Sequence, residues 1–247
     1  MSDQPAQLPL FFTRIEGLNP QTHPDLTLDR GTGFGFAAAA QAIPLGLSEL
    51  EAAAQHFPIL FTAGANPTPV ALVGLRDGEN LFVQPGGHWA SDAYVPAYLR
   101  AFPFIFVEDA ANKSVLVAMQ PDAAALHSAQ GAPLFEDGRP TQTLNEAVAF
   151  CTAFREAAVA AGTFGRALRE AGLLEEEEAT VNFTAGGSTR IRGFQLVKAE
   201  RLAELPDATF LEWRRLGWVA AIYAHLYSAG RWGRLIELAA ARSGRAA

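Results

Sequence analysis

At 247 residues the chain is long enough to bury one substantial core, and its 49% hydrophobic content is that of a folded globular protein rather than a disordered one. Its 26 acidic and 19 basic residues leave a net charge of −7, which argues against a general nucleic-acid binder, because phosphate contacts need clustered Lys and Arg. The single cysteine, Cys151, rules out an intramolecular disulfide and suits a reducing compartment.

Residues 1–30 are punctuated by Pro5, Pro9, Asn19-Pro20 and His23-Pro24 and read as an extended lead-in with one short strand. Met1 to Glu16 lacks a basic leader, and its longest apolar run, Leu8–Phe12, is interrupted by Pro9. Neither this run nor the Ala-rich Phe34–Ala42 approaches the roughly 20 residues of a membrane span, so the expected location is the cytoplasm. The stretch Gly31-Thr32-Gly33-Phe34-Gly35-Phe36 resembles a nucleotide loop. It lacks the dinucleotide spacing and the Gly-Lys-Ser/Thr that would hold phosphates, and reads as glycines beside a closely approached strand.

Leu47–Phe57 is expected to be a helix, with Ser48 and Glu51 spaced as a capping box and Pro58 ending it. Strand-like runs follow at Ile59–Ala63, Val70–Leu75 and Asn80–Val83, and Asp77-Gly78 predicts a hairpin between the last two. A short helix is expected over Val95–Ala101, then a strand pair at Phe104–Val107 and Ser114–Met119. The polar stretch Pro121–Thr143 holds a short helix at Asp122–His127 and an Asp137-Gly138 turn. Leu144–Ala171 is the longest expected helix, with Leu144, Val148, Cys151, Phe154, Ala158, Ala161 and Leu168 on one face. Gly162 and Gly165 are expected to bend or end it, and Gly172 to stop it. Glu175–Glu178 reads as a solvated acidic run. Ala179–Thr184 and Thr189–Val197 form a hairpin through Ala185-Gly186-Gly187-Ser188. Helices at Asp207–Arg215 and Trp218–Ser228 finish the chain, and the arginines from Arg231 to Arg245 read as a basic last turn and tail.

Hairpins without regular crossover helices predict an α+β fold: a mainly antiparallel sheet with a long helix and C-terminal helices packed on it. No linker or repeat divides the chain, so one domain over residues 1–247 is expected, with 239–247 as a flexible tail.

Catalytic signatures are missing. His23, His56, His88, His127 and His225 show no metal-ligand spacing, Cys151 has no cysteine near it, and no nucleophile elbow, kinase signature or His-Glu-x-x-His occurs. No metal and no cofactor is expected. Aromatic residues carry more information. Trp213, Trp218, Tyr223, Tyr227 and Trp232 cluster near the end, and Trp89, Tyr94, Tyr98, Phe102, Phe104 and Phe106 cluster earlier. Rigid aromatics beside arginine suit binding surfaces, while packing in a core is the alternative. The candidate binding residues are Arg76, Trp89, Tyr94, Tyr98, Arg100, Trp213, Trp218, Tyr223 and His225, with a groove expected along Tyr94, Tyr98, Trp213 or Trp218.

Several stretches in order resemble the SapC family of bacterial proteins. They are Phe36 through Pro44-Leu45 into the helix with Glu49; Phe57-Pro58-Ile59-Leu60-Phe61; and Pro69 through Val83. The likeness continues through Trp89, Tyr94-Val95-Pro96-Ala97, Arg100 and Phe102-Pro103-Phe104, then Leu134-Phe135 and Asp137-Gly138. Gly193-Phe194, Leu205-Pro206-Asp207 and Ile222-Tyr223-Ala224-His225-Leu226-Tyr227-Ser228 complete it, over roughly residues 8 to 238. The resemblance implies a surface-layer locus and a gene neighbourhood of TonB-dependent receptors and tryptophan-halogenase-like flavoproteins. It carries no catalytic residues. The leading expectation is a non-catalytic accessory or binding protein for a peptide or partner protein. The alternatives are an enzyme with a dispersed site drawn from His88, His225, Cys151, Arg76 and Asp77, and a surface-layer structural protein.

Overall fold

A computed structural model describes residues 8–109, 114–183 and 187–245. In chain order the first strands are β1 (Glu16–Gly17), β2 (Thr27–Leu28), β3 (Ala42–Pro44), β4 (Ile59–Thr62), β5 (Pro69–Leu72), β6 (Phe104–Asp109) and β7 (Ser114–Met119). Three two-residue strands follow, β8 (Ala132–Pro133), β9 (Phe135–Glu136) and β10 (Arg139–Pro140), and then the long β11 (Leu174–Asn182) and β12 (Ser188–Val197). The helices are α1 (Leu50–Ala54), α2 (Ala97–Ala101), α3 (Gln142–Glu170), α4 (Ala199–Leu202), α5 (Asp207–Arg215), α6 (Trp218–Ser228) and α7 (Trp232–Arg245). Antiparallel sheets, one long helix and C-terminal helices make this the expected α+β fold.

The chain divides into two compact units: residues 1–36 with 101–155, and residues 37–100 with 156–247. The first holds the antiparallel sheet β1-β7-β6 and the small pairs β2-β8 and β9-β10. The β9-β10 turn is the expected Asp137-Gly138, with both residues at positive φ. The core of this unit gathers Phe104, Met119, Leu126, Leu134, Leu144 and Cys151.

The second unit is built on a five-stranded antiparallel sheet, order β11-β12-β4-β5-β3. Its largest buried side chains include Phe57, Phe61, Phe82 and Phe164. The acidic run lies on β11, an edge strand, where charge discourages pairing with a further strand. Part of the run is ion-paired: Glu175 with Arg201 at 3.0 Å, Glu177 with Lys198, and Glu178 with Arg192 at 3.0 Å. The last pair spans a bulge in which Glu178 faces both Arg192 and Gly193, the latter at φ 77°. The turn expected between β11 and β12 lies outside the described residues at Thr184, Ala185 and Gly186.

Three local expectations need correction. The helix near residue 47 starts as a 3-10 turn over Leu47–Glu49, and its cap is Glu49 accepting from the Gly46 N–H at 2.7 Å, not a Ser48/Glu51 pair. The arm Asn80–Val83 is not a strand, although its Leu81 N–H does donate to Val73 O. The return bond is lost because the Val73 N–H donates to the Gln41 carbonyl at 2.9 Å, and the carbonyls of Asn80, Leu81 and Val83 are instead met by the Arg242 guanidinium on α7 at 2.8, 3.3 and 2.8 Å. Finally, α3 runs unbroken through Gly162 and Gly165. Gly165 is instead a close-approach site, where a Cβ would fall 1.9 Å from the Pro67 carbonyl oxygen. The sequence reading also stopped at α6, whereas α7 continues the chain to Arg245.

Helix α6 meets the sheet where two strands part. The β4-β12 register pairs Phe194 with Thr62 and Gln195 with Phe61, so its continuation would set Val197 opposite Ile59. That pair does not form. The Val197 N–H donates to His225 Nε2 at 3.1 Å, and the Ile59 N–H donates to Ser228 Oγ at 2.9 Å. Two side chains of α6 thus satisfy the two donors left at the opening of the ladder.

The glycines of α3 supply a test. Gly165→Ala should lower stability by about 1–3 kcal/mol in urea unfolding, since backbone must move. Gly162→Ala, whose Cβ would meet only the Arg166 side chain at 3.8 Å, should raise it by about 0.5–1 kcal/mol.

Candidate functional site

The candidate residues separate by burial and by partner. Trp89 and Trp213 are buried. Trp213 meets Trp218 edge-on at 5.7 Å, and Trp218 in turn meets Phe164 at 5.7 Å, so this pair joins the α5-α6 corner to the core. Trp89 stacks on Phe82 at 5.6 Å and donates its Nε1–H to the Tyr94 carbonyl at 2.9 Å. Their role here is packing.

Trp89, Tyr94 and Arg100 do come together, around a buried carboxylate that the sequence reading did not single out. Arg100 Nη2 donates to the Tyr94 hydroxyl at 2.9 Å, and Tyr94 donates to Glu49 Oε2 at 2.9 Å. Glu49 Oε2 also accepts from the Ala97 N–H at 2.8 Å, and its Oε1 from Gly46. One carboxylate therefore ties the start of α1 to the start of α2. Burial, reinforced by the Glu49 carboxylate, pushes the Tyr94 hydroxyl up to about 12, and burial alone pushes Tyr98 to about 12. Both are poor acid–base groups at neutral pH.

Among the described residues no hydrogen bond or ion pair joins the members of the dispersed enzyme site to one another. Arg76 lies over the Phe183 ring at 4.5 Å and pairs with Glu79 at 3.8 Å. Cys151 belongs to the other unit, with its Sγ 3.8 Å from the Ala101 carbonyl, and burial pushes its thiol up to about 11, far from a reactive thiolate. His88 and Asp77 are exposed. His225 is deeply buried; burial lowers it to about 4, and a contact with the Ile59 backbone offsets this only in part. Its Nε2 accepts from Val197, so the proton sits on Nδ1, which meets no hydrogen-bond acceptor. Among the described residues no group of three or more His, Cys, Asp and Glu is placed to hold a metal ion.

A shallow cleft of about 480 Å³ opens in the first unit between Thr22–Thr27 and Leu126–Ala129. Its His23 holds Glu16 at 2.9 Å through Nε2 and takes bonds from Asn19 and Thr22 at Nδ1, and His127 Nε2 donates to the Pro121 carbonyl at 2.6 Å. These rings brace loops. By length and composition α3 is long and apolar enough to cross a membrane, although Leu144, Ala147, Cys151, Ala161, Phe164 and Leu168 along it are buried in the protein.

An accessible aromatic surface lies on the outer face of α6. His225 and Ser228 turn one side of this helix to the sheet, with Ala221, Ile222 and Ala224 also buried. The opposite side presents Tyr223 and Tyr227, four residues apart. Their rings stack at 6.0 Å, and they are 42% and 75% exposed. Leu216 and Leu211 are exposed on the preceding segment. Sequence reading named Tyr223 as a binding candidate and grouped Tyr227 with the aromatics. The phase of α6 exposes these two, whereas Trp213 is buried on α5 and Trp89 is buried outside the helices.

The SapC family model matches residues 18–235, nearly the whole chain. The chain belongs to the SapC family. No characterised protein and no solved structure matches it. Within this SapC-family chain, the stretch Ile222–Ser228 resolves into two roles: Ile222, Ala224, His225 and Ser228 hold the sheet, and Tyr223 and Tyr227 face outward.

His225 makes stability depend on pH. Its folded value of about 4 lies below the ordinary 6.5, so its contribution is full above pH 6.5 and is lost as pH falls toward 4, by up to about 3 kcal/mol. Denaturant unfolding of wild type and His225→Gln across pH 4–7 should show that slope in wild type and a flatter profile in the variant, whose amide can still accept from Val197.

Proposed function

We propose that this SapC-family protein is a non-catalytic accessory protein that binds a peptide or partner protein through the outer face of α6. The observation that carries this reading is the stacked, exposed Tyr223–Tyr227 pair on a helix whose other face is fixed to the sheet. Rigid aromatic side chains with a polar tip give large contact area at low cost in conformational entropy, which favours them as interface anchors. Neither ring has a packing duty comparable to that of Trp213 or Trp89, which are buried. In this reading the protein acts in the cytoplasm, which a lone free cysteine suits. Its partners are of the kind the resemblance implies, a TonB-dependent-receptor or halogenase-like system.

The test compares affinity capture from native cells by wild type and by a Tyr223→Ser/Tyr227→Ser double variant, with mass spectrometry of proteins and small molecules. Surface changes of this kind should alter stability by less than about 0.5 kcal/mol each. A specific protein or peptide should be retained by wild type and lost from the variant while the two melt alike. An identical captured set would overturn the proposed face, and a small molecule alone, retained by both, would overturn the partner-binding role.

A further inference from the structure

The cleft of the first unit, lined by residues 22–27 and 126–129, has a polarity set by where its side-chain protons go. The Asn19 N–H donates to His23 Nδ1 at 3.3 Å, so that ring carries its proton on Nε2 and donates it to Glu16 at 2.9 Å. The Thr22 hydroxyl then donates to His23 Nδ1 at 3.1 Å or to the Asn19 carbonyl at 3.5 Å. Thr27 spends its hydroxyl proton on the Ser128 carbonyl at 2.9 Å, and Ser128 spends its own on Asp29 at 2.6 Å. The Pro121 carbonyl can only accept, so His127 donates from Nε2 at 2.6 Å, and its neutral ring keeps an acceptor at Nδ1. Every hydroxyl and imidazole proton of the lining is thus used within the protein.

What these side chains still offer is lone pairs and one negative charge. Asp25 is exposed, and its carboxylate forms no hydrogen bond or ion pair among the described residues. No lysine or arginine lines the cleft, and Pro24, Leu26 and Leu126 give it an apolar wall. Its volume of about 480 Å³ falls within the range of small-molecule sites, roughly 300–1,000 Å³. A lining with side-chain acceptors and no free side-chain donor disfavours anions. It matches a cation that brings its own N–H groups on an aliphatic stem, because N–H bonds to a carboxylate are strengthened by both charges. We propose that this cleft binds a ligand bearing an alkylammonium or alkylguanidinium group, with Asp25 and His127 Nδ1 as the acceptors of its N–H groups and Pro24 and Leu26 against its stem.

The experiment is a titration of the full chain with n-butylammonium, n-butylguanidinium and tetramethylammonium chlorides at constant ionic strength. It is run at about pH 8, where an ordinary imidazole is neutral. Binding is followed by the His23 and His127 imidazole resonances in nuclear magnetic resonance. Saturable shifts are expected with at least one of the two N–H cations, and the one that binds more tightly identifies the group. Tetramethylammonium carries the same charge without an N–H and should bind about tenfold more weakly, the worth of one charge-assisted hydrogen bond. Asp25→Asn, a change at an exposed position, should weaken the preferred cation about tenfold for the same reason. Absence of saturation with both N–H cations would overturn the site. So would equal affinity in Asp25→Asn, or binding of tetramethylammonium as tight as that of the N–H cations. The Tyr223→Ser/Tyr227→Ser variant should bind the cation as wild type does, so this inference and the partner-binding reading fail independently.

Discussion

The opening between β4 and β12 is the constraint on which the second unit depends. Two strands that pair at Phe194 and Gln195 part before Val197 and Ile59 can meet. Their N–H groups would be stranded in the interior, at a cost of roughly 1–3 kcal/mol each. His225 and Ser228 remove that cost, one as an imidazole acceptor and one as a hydroxyl acceptor that itself donates to the His225 carbonyl at 2.6 Å. Because both contacts come from adjacent turns of one helix, they fix its rotation as well as its position. The exposure of Tyr223 and Tyr227 follows from that rotation.

The same solution recurs elsewhere in this unit. Backbone groups that leave regular structure are met by single, multiply bonded side chains. Arg242 takes three carbonyls of the Asn80–Val83 arm, Glu49 takes two backbone N–H groups and a tyrosine hydroxyl, and the Asn80 amide bridges Ala37 O and the Phe82 N–H. Polar residues that look like catalytic candidates in a bare sequence are thereby committed to structure. A buried neutral histidine, a tyrosine with its hydroxyl pushed to about 12 and a cysteine with its thiol pushed to about 11 are poor reagents at neutral pH. The tyrosine pair of α6, by contrast, is exposed.

Much of the fold was legible. The period of α3, the Asp137-Gly138 turn, the β6-β7 pair and the β11-β12 hairpin all rest on local chemistry, and the α+β class followed from them. The Asn80–Val83 arm failed because distant groups engage both sides of the pair: Gln41 takes the Val73 N–H, and Arg242, more than 150 residues away in the chain, takes the arm's carbonyls. The α3 glycines were misread because their local signal is the same whether a helix bends or a neighbouring backbone approaches, as Pro67 does at Gly165. For the site, aromatic type and spacing singled out the right segment but ranked Trp213 beside Tyr223.

By itself the sequence determined the family, the fold class, most elements and the lack of any local catalytic motif, because these depend on residue type and short-range spacing. The tertiary structure alone decided which aromatics are core and which are surface. Trp213 and Tyr223 carry similar local signals, and both lie on helices. Trp213 is buried on α5 against Trp218, while the hydrogen bonds that His225 and Ser228 accept from distant strands set the rotation of α6 that leaves Tyr223 to solvent.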